Sequence, residues 1–470
     1  MSAGAERPAE RRPPGRRQVR LGAHFPGVNA TSVWSDPASG SHIDFSSFVH
    51  MARTAERSRF DFFFLAEGLR LREKKGRIHD LDVVGRPDTL AVLAALSAVT
   101  EHLGLVGTLT TTYNEPYEVA RQLATLDHLS GGRAGWNAVT SPDAFTGANF
   151  RRGGFLDRAD RYDRAAEFVT VVRSLWRSWG VDDLVADTDG ARFVRDVEVG
   201  AFSHRGRHFD VEGHFPLPRS PQVEPVVLQA GDSDAGRAFG ATHADGIFTL
   251  ARGLDEARAF SADLKGRAAA AGRDPDHLLI LPAATFALGD TTEEAERHAA
   301  EVRRAQVSGA TALQFLERFY NRDLSGYDPD GPLPDVEPLP EPEDPLLVQG
   351  QVVPTVDVVA QVREWRELAA AKGLSLRDLV VEVSARQTFV GTAAEIAEQI
   401  DHRVQTGAAD GFILVPHLSP GGLDELAERV VPLLQERGSV PASYTGRTLR
   451  ENLGLPAEPP VRSHPVRSHP

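Results

Sequence analysis

The chain predicts a TIM barrel, an α/β fold of the (β/α)8 class with insertions after several strands. Short β-branched or aromatic runs alternate with amphipathic helical stretches, as βα units around a parallel sheet require. Eight such runs are present, the number that closes the barrel. The 470 residues exceed a bare barrel, which leaves length for long loops.

The runs, in order, are VRLGAH (19–24), DFFFLA (61–66), GLVGTLTT (104–111), RAGWNAVT (133–140), PVVLQA (225–230), GIFTL (246–250), LLILPAATFAL (278–288) and GFILVP (411–416). Helices are legible between them. Phe45, Phe48, Val49, Ala52 and Ala55 make one apolar stripe. Pro116 suits a first helical turn, Val119, Ala120, Leu123 and Ala124 follow, and Gly131-Gly132 stops the helix. Leu423, Leu426, Ala427, Val430, Val431 and Leu434 repeat at helical spacing in the last one.

The barrel is expected over 19–440, with insertions at about 68–87, 181–222 and 291–386. The first is highly charged. The second ends in FDVEGHFPLPRSPQ, read as a β-hairpin and a proline-bounded turn. The third contains YDPDGPLPDVEPLPEPEDP, which proline excludes from regular structure and which is too acidic and proline-rich to bury. It reads either as a lid over the mouth or as a solvent-exposed linker. Residues 1–18 and the VRSHPVRSHP end of the 441–470 extension read as disordered tails. Arg11-Arg12 and Arg16-Arg17 are followed by no apolar run, so a leader is not expected.

Hydrophobic residues make up 41% and charged residues 25%, which leaves a large core available. A net charge of -14 argues against nucleic acid as partner. The absence of cysteine excludes disulfides, thiolate metal sites, Fe–S clusters and cysteine nucleophiles. No run is long enough to cross a bilayer, so no membrane role and a cytoplasmic location are expected. The histidines show no metal-binding pair, and neither a GxSxG elbow nor a dinucleotide fingerprint is present.

Three places carry candidate chemistry. Glu67 ends the second strand, where a carboxylate faces the barrel mouth; a charge capping a loop is the plainer reading. LQAGDSDAGRAFG joins a strand to a helix through a glycine turn, so Ser233 can cap that helix or complete a phosphate site with its free N–H groups. Asp232 and Asp234 oppose an anion there unless they point away. In GRAGWNAVT, the Asn137 amide suits the polar edge of a heteroaromatic ring, with a structural network nearly as good an account.

Five blocks in order then carry a resemblance. They are FDFFFLAE (60–67), TTTYNEPYEVARQLATLDHLSGGRAGWNAVT (110–140), DRYDRAAEFVTVVRSLWRSW (160–179), FPLPRSPQ with VVLQAGDSDAGR (215–237) and YTGRTLRENLGL (444–455). The chain resembles the nitrilotriacetate monooxygenase, pristinamycin synthase and dibenzothiophene-sulfone monooxygenase group of bacterial-luciferase-like flavoproteins. The resemblance implies an FMNH2-dependent monooxygenase, oxidising a small organic substrate with O2 through a flavin (hydro)peroxide. A separate NAD(P)H:flavin reductase would supply the reduced FMN, and a homodimer or homotetramer is implied. Glu67 stands where the group usually has Asp; Thr108 matches its hydroxyl beside the flavin ring, and Asn137 its WN pair. Tyr162 matches its HDERY segment, in which Arg158 replaces histidine. Ser233 is kept from its AGSS phosphate turn, whose neighbour is here Asp232. Arg158 is expected to offset Asp232 near the phosphate. His24 is the candidate acid or base, and His24 and Trp34 are candidates for the substrate pocket. The alternatives are an F420-dependent oxidoreductase of the same fold, needing no O2, and a non-catalytic flavin-binding protein.

Overall fold

The computed structural model describes residues 16–78, 85–141, 144–150, 158–344, 347, 356–384 and 387–458. The expected tails fall largely outside these residues. Eight parallel strands close a barrel in chain order: β1 (Arg20–Phe25), β2 (Phe62–Leu65), β3 (Gly104–Thr110), β4 (Ala134–Val139), β5 (Val226–Gln229), β6 (Gly246–Leu250), β7 (Leu279–Ala284) and β8 (Gly411–Leu414). Seven lie within their predicted runs, and β1 runs one residue past its own, to Phe25. The seventh run is longer than its barrel strand, because the chain turns away at Thr285. Phe286–Leu288 then pairs in parallel with Phe389–Gly391, outside the barrel.

Side chains alternate across each strand, so one run serves two cores. Leu21, Ala23, Phe25, Phe63 and Leu65 face outward onto Phe48 and Met51 of α1 (Phe45–Arg57). Phe62, Phe64, Val106, Leu228, Leu281 and Ile413 fill the lumen. This double burial is why FFFLA (62–66) is apolar throughout rather than alternating.

The C-terminal motif closes the bottom of the cylinder. Leu449, Leu453 and Leu455 join the lumen cluster from below. Gly104 is glycine because a Cβ there would lie 2.5 Å from Leu449 Cδ1 and 2.9 Å from the Asp61 carbonyl. With the lumen plugged at this end, the cylinder opens at the opposite rim.

The loops after the strands carry the additional structure. Residues 68–87 include the paired short strands Glu73–Lys74 and Arg77–Ile78. FDVEGH supplies the second arm of a hairpin (Asp210–His214) whose first arm is Ala201–Arg205. Between Thr292 and Val383 the described residues form four helices: Thr292–Gln306, Gly309–Tyr320, Val358–Lys372 and Leu376–Val383. The last three share an apolar cluster that includes Leu316, Tyr320, Trp365 and Leu379.

The proline-rich stretch is irregular, as its prolines require. Over the described residues it is nonetheless packed, contrary to the expectation from composition. Pro334 and Pro338 are buried while Asp335 and Glu337 project outward. Asn321 Nδ2 donates to the Leu339 carbonyl at 2.7 Å, and Arg366 donates to the Val336 carbonyl. Prolines supply apolar surface and free carbonyls on one side and leave the acids on the other, which composition alone conceals. The helices are tied to the loop after β2 by Lys74–Glu317 (2.9 Å, with Glu317 fully buried) and by Lys75–Asp323.

Candidate functional site at the barrel mouth

The sequence-predicted residues fall on a continuous arc of the rim, at the C-terminal ends of β1 to β5. Parallel register puts Thr108 opposite Asn137, and Asn137 opposite Leu228 of β5. Asn137 Nδ2 donates to Thr108 Oγ1 at 3.0 Å. The Asn137 amide oxygen is buried with no hydrogen-bond partner. A buried amide acceptor left unpaired costs about 1–3 kcal/mol, so it invites an N–H or O–H donor from a ligand. Its neighbour Trp136 points the other way, with Nε1 donating to the Leu109 carbonyl at 3.0 Å and its ring packed near Phe168. Asparagine faces the lumen; tryptophan holds the strand to the helices.

Glu67 follows β2, and its Oε2 accepts the Thr110 N–H at 3.1 Å. Burial, opposed by that bond and reinforced by the Asp88 charge, lifts its carboxyl to about 7. Ser141 Oγ donates to Thr110 Oγ1 at 2.8 Å, which fixes the adjoining wall. Glu67, Thr108, Val139 and Ser141 line a cavity of about 190 Å³.

On β1, His24 is buried with both ring nitrogens unpartnered, and Phe64 lies edge-on at 5.4 Å. Burial first, and Arg86 second, push it down to about 3. It is therefore a neutral imidazole at physiological pH. As a base it is weak, and the general-acid role expected of it would need a proton that this environment withholds. Trp34 is half exposed.

The turn after β5 builds the far end of the arc. Ser233 caps the helix Asp234–His243, its Oγ accepting the Gly236 N–H at 3.2 Å. Tyr162 Oη lies 3.5 Å from Ser233 Oγ. Gly231 and Gly236 are closely packed: a Cβ would come within 3.0 and 2.7 Å, respectively, of Tyr162 Oη, and at Gly231 within 2.2 Å of Gln229 Nε2. The acids flanking Ser233 do point away. Asp232 pairs with Arg237 (2.9 Å) and with Arg252, and Asp234 with Arg267 at 2.7 Å. The Asp232 carboxylate is thus engaged on the outer surface, and only its backbone is left for the mouth. Arg158 opens the helix Arg158–Trp176, but its side chain lies outside the described residues. Among the described residues, the cations that meet Asp232 are Arg237 and Arg252.

Two further side chains that sequence reasoning missed lie near the rim, one facing the helix after β5 and one on the cavity wall. Gln229 ends β5, buried, with its Oε1 unpartnered. Arg86 lies in the charged loop after β2, its Nη2 donating to the Pro26 carbonyl at 3.0 Å and its Nε unpartnered. A glutamine ending an apolar strand could have been flagged; one arginine among many in a charged loop could not.

This rim offers an unpaired amide oxygen beside a hydroxyl, a carboxyl titrating near neutrality, and a glycine-lined helix start with two hydroxyls. Such a set suits a polar-edged ring with an anionic tail. Among the described residues no cluster of ligating side chains could hold a metal ion, and no helix is long and apolar enough to cross a membrane.

Comparison with known proteins follows the same line. A sequence model for luciferase-like monooxygenases matches residues 25–410. N-acetyl-S-(2-succino)cysteine monooxygenase of Bacillus subtilis is 36% identical, covering 96% of this chain and 99% of its own. Nitrilotriacetate monooxygenase component A of Aminobacter aminovorans is 36% identical, covering 92% of this chain and 94% of its own. Riboflavin lyase, solved with modified FMN and riboflavin, superposes with a TM-score of 0.76 at 32% identity, covering 93% and 96% of the two chains.

Proposed function

The chain belongs to the luciferase-like monooxygenase family, and from that premise we propose that it is the oxygenating member of a two-component pair using reduced FMN. A separate NAD(P)H:flavin reductase supplies the cofactor; that one relative is named a component A supports a divided system. The observation that carries the reading is the rim itself. An orphaned Asn137 oxygen and the Thr108 hydroxyl stand on adjacent strands, and the Tyr162–Ser233 pair closes the arc at a helix start.

The residues divide the work by position. Asn137 and Thr108 hold the polar edge of the ring, each fixing the other's rotamer through their mutual bond. Ser233, Tyr162 and the free N–H groups of the helix start hold the phosphate, with the positive end of the helix dipole adding to the attraction. Arg237 and Arg252 keep the Asp232 charge off that phosphate. Bound reduced FMN supplies two electrons to O2, so that one oxygen atom enters the substrate and the other leaves as water. Glu67, titrating near neutrality at Thr110, holds or releases a proton at the cavity wall.

Anaerobic titration with reduced FMN tests this directly. Saturable binding, tighter for FMN than for riboflavin, is expected, followed on admitting air by a single round of oxygen uptake that continues only when a flavin reductase and NAD(P)H are added. Absence of flavin binding, or oxidation of substrate without O2, would sink the assignment. Within the same titration, Asn137→Ala is expected to weaken flavin affinity about tenfold, the cost of one lost hydrogen bond in a buried site. A change of less than about twofold would take Asn137 out of the cofactor contact.

A further inference from the structure

Arg86 occupies an unusual electrostatic position. It lines two cavities at the mouth, the 190 Å³ space bounded by Glu67 and Thr108 and a second of about 380 Å³ bounded by Ile43 and Leu71. The neighbouring Arg70 is satisfied by Glu73 at 3.0 Å and by the Phe145 carbonyl. Arg86 has only the Pro26 carbonyl, its Nε is shut off without a partner, and among the described residues no carboxylate pairs with it. A guanidinium removed from water without a counter-ion is costly, and the cost is recovered if a ligand brings the negative charge.

His24 supplies the second half. It lies close enough for the Arg86 charge to oppose its protonation, and both its nitrogens are buried and unpartnered. A neutral imidazole offers one N–H donor beside the guanidinium fork. Burial lifts Glu67, the one acidic residue lining either cavity among the described residues, to about 7, which weakens a competitor for the cation. The flavin phosphate does not answer this demand, because its proposed seat at Ser233 follows β5, while His24 and Arg86 stand at β1 and β2.

We propose that Arg86, with His24 beside it, is the recognition point for substrate, and that the substrate carries a carboxylate. This rests on the oxygenase reading and names the substrate class of that site. The carboxylate is gripped at Arg86, which lines both cavities, so that the rest of the molecule extends to the space bounded by Thr108 and Glu67. The outer cavity, with Ile43 and Leu71, takes an apolar portion.

The experiment uses FMN-loaded protein and two probes differing only in charge: N-acetyl-S-(2-succino)cysteine and its fully esterified form, each titrated by calorimetry. The acid is expected to bind at least tenfold tighter than the ester. Arg86→Met should weaken the acid about thirtyfold and the ester little, as loss of a buried charged partner does. Arg86→Lys should restore part of the affinity, since it keeps the charge and loses the fork. Equal binding of acid and ester, or an equal loss of both in Arg86→Met, overturns the proposal. So does a loss of FMN affinity in Arg86→Met as large as that of the acid, because Arg86 would then serve the cofactor phosphate. Failure of the unaltered protein to bind FMN is a different result, and it strikes the oxygenase reading itself.

Discussion

Replacing Arg450 with methionine is expected to cost about 3–5 kcal/mol of folding stability, the range found when one member of a buried ion pair is removed. Arg450 lies in the plug beneath the barrel and is 1% exposed. Its Nη1 meets Asp245 Oδ2 at 3.1 Å, its Nε donates to the Pro456 carbonyl at 2.9 Å, and its backbone N–H donates to Gln222 Oε1 at 3.0 Å. Asp245 also accepts the Val227 N–H at 3.0 Å, so this pair fastens the C-terminal motif to the start of β5. Methionine fills similar volume but strands a buried carboxylate, with Arg273 at the limit of contact, 4.0 Å away. Asp245→Asn in the same chain removes the stranded charge and keeps an acceptor for Val227. The double variant should therefore regain most of the loss. Denaturant unfolding at neutral pH reads both; a single-variant loss below about 1 kcal/mol would mean that the pair contributes little beyond its desolvation cost.

That motif shows what sequence reveals and what it conceals. The block TLRENLGL carries the family resemblance, yet nothing in its spacing says that Leu449 faces upward into the lumen while Arg450 pairs sideways with a residue about 200 positions earlier. The eight strands were legible because each is a short apolar run bounded by turn residues, a local property. The exit of the seventh run at Thr285 was not, since it depends on pairing with Phe389–Gly391 a hundred residues on. At the mouth, Asn137 and Glu67 could be read from their place at strand ends. The neutralisation of Asp232 could not, because Arg252 reaches it from the loop after β6. Arg86 was hidden for a related reason: an arginine's meaning lies in which carboxylates it lacks, and only the folded chain shows that.

Glu67→Gln is expected to reverse its effect on stability with pH, by about 2 kcal/mol between pH 5 and pH 8. Burial raises the Glu67 carboxyl from an ordinary 4.5 to about 7 in the folded chain, and the Asp88 charge adds to the rise. A carboxyl whose folded value lies above its unfolded value contributes stability that is whole below the unfolded value and lost as pH climbs through the folded one. The loss here falls between about pH 4.5 and pH 7, and above that window the protein carries the full penalty of a desolvated charge. Each pH unit of separation is about 1.4 kcal/mol, and residual solvent contact at the rim reduces the total to about 2. Glutamine keeps an oxygen for the Thr110 N–H but never ionises, so the variant should unfold at higher denaturant than the parent at pH 8 and show little or no advantage at pH 5. Every other titrating group is common to both chains and cancels in the difference. A difference flat across this range would show that water or an unseen donor solvates the carboxylate, and Glu67 could then not serve as a proton holder poised near neutrality.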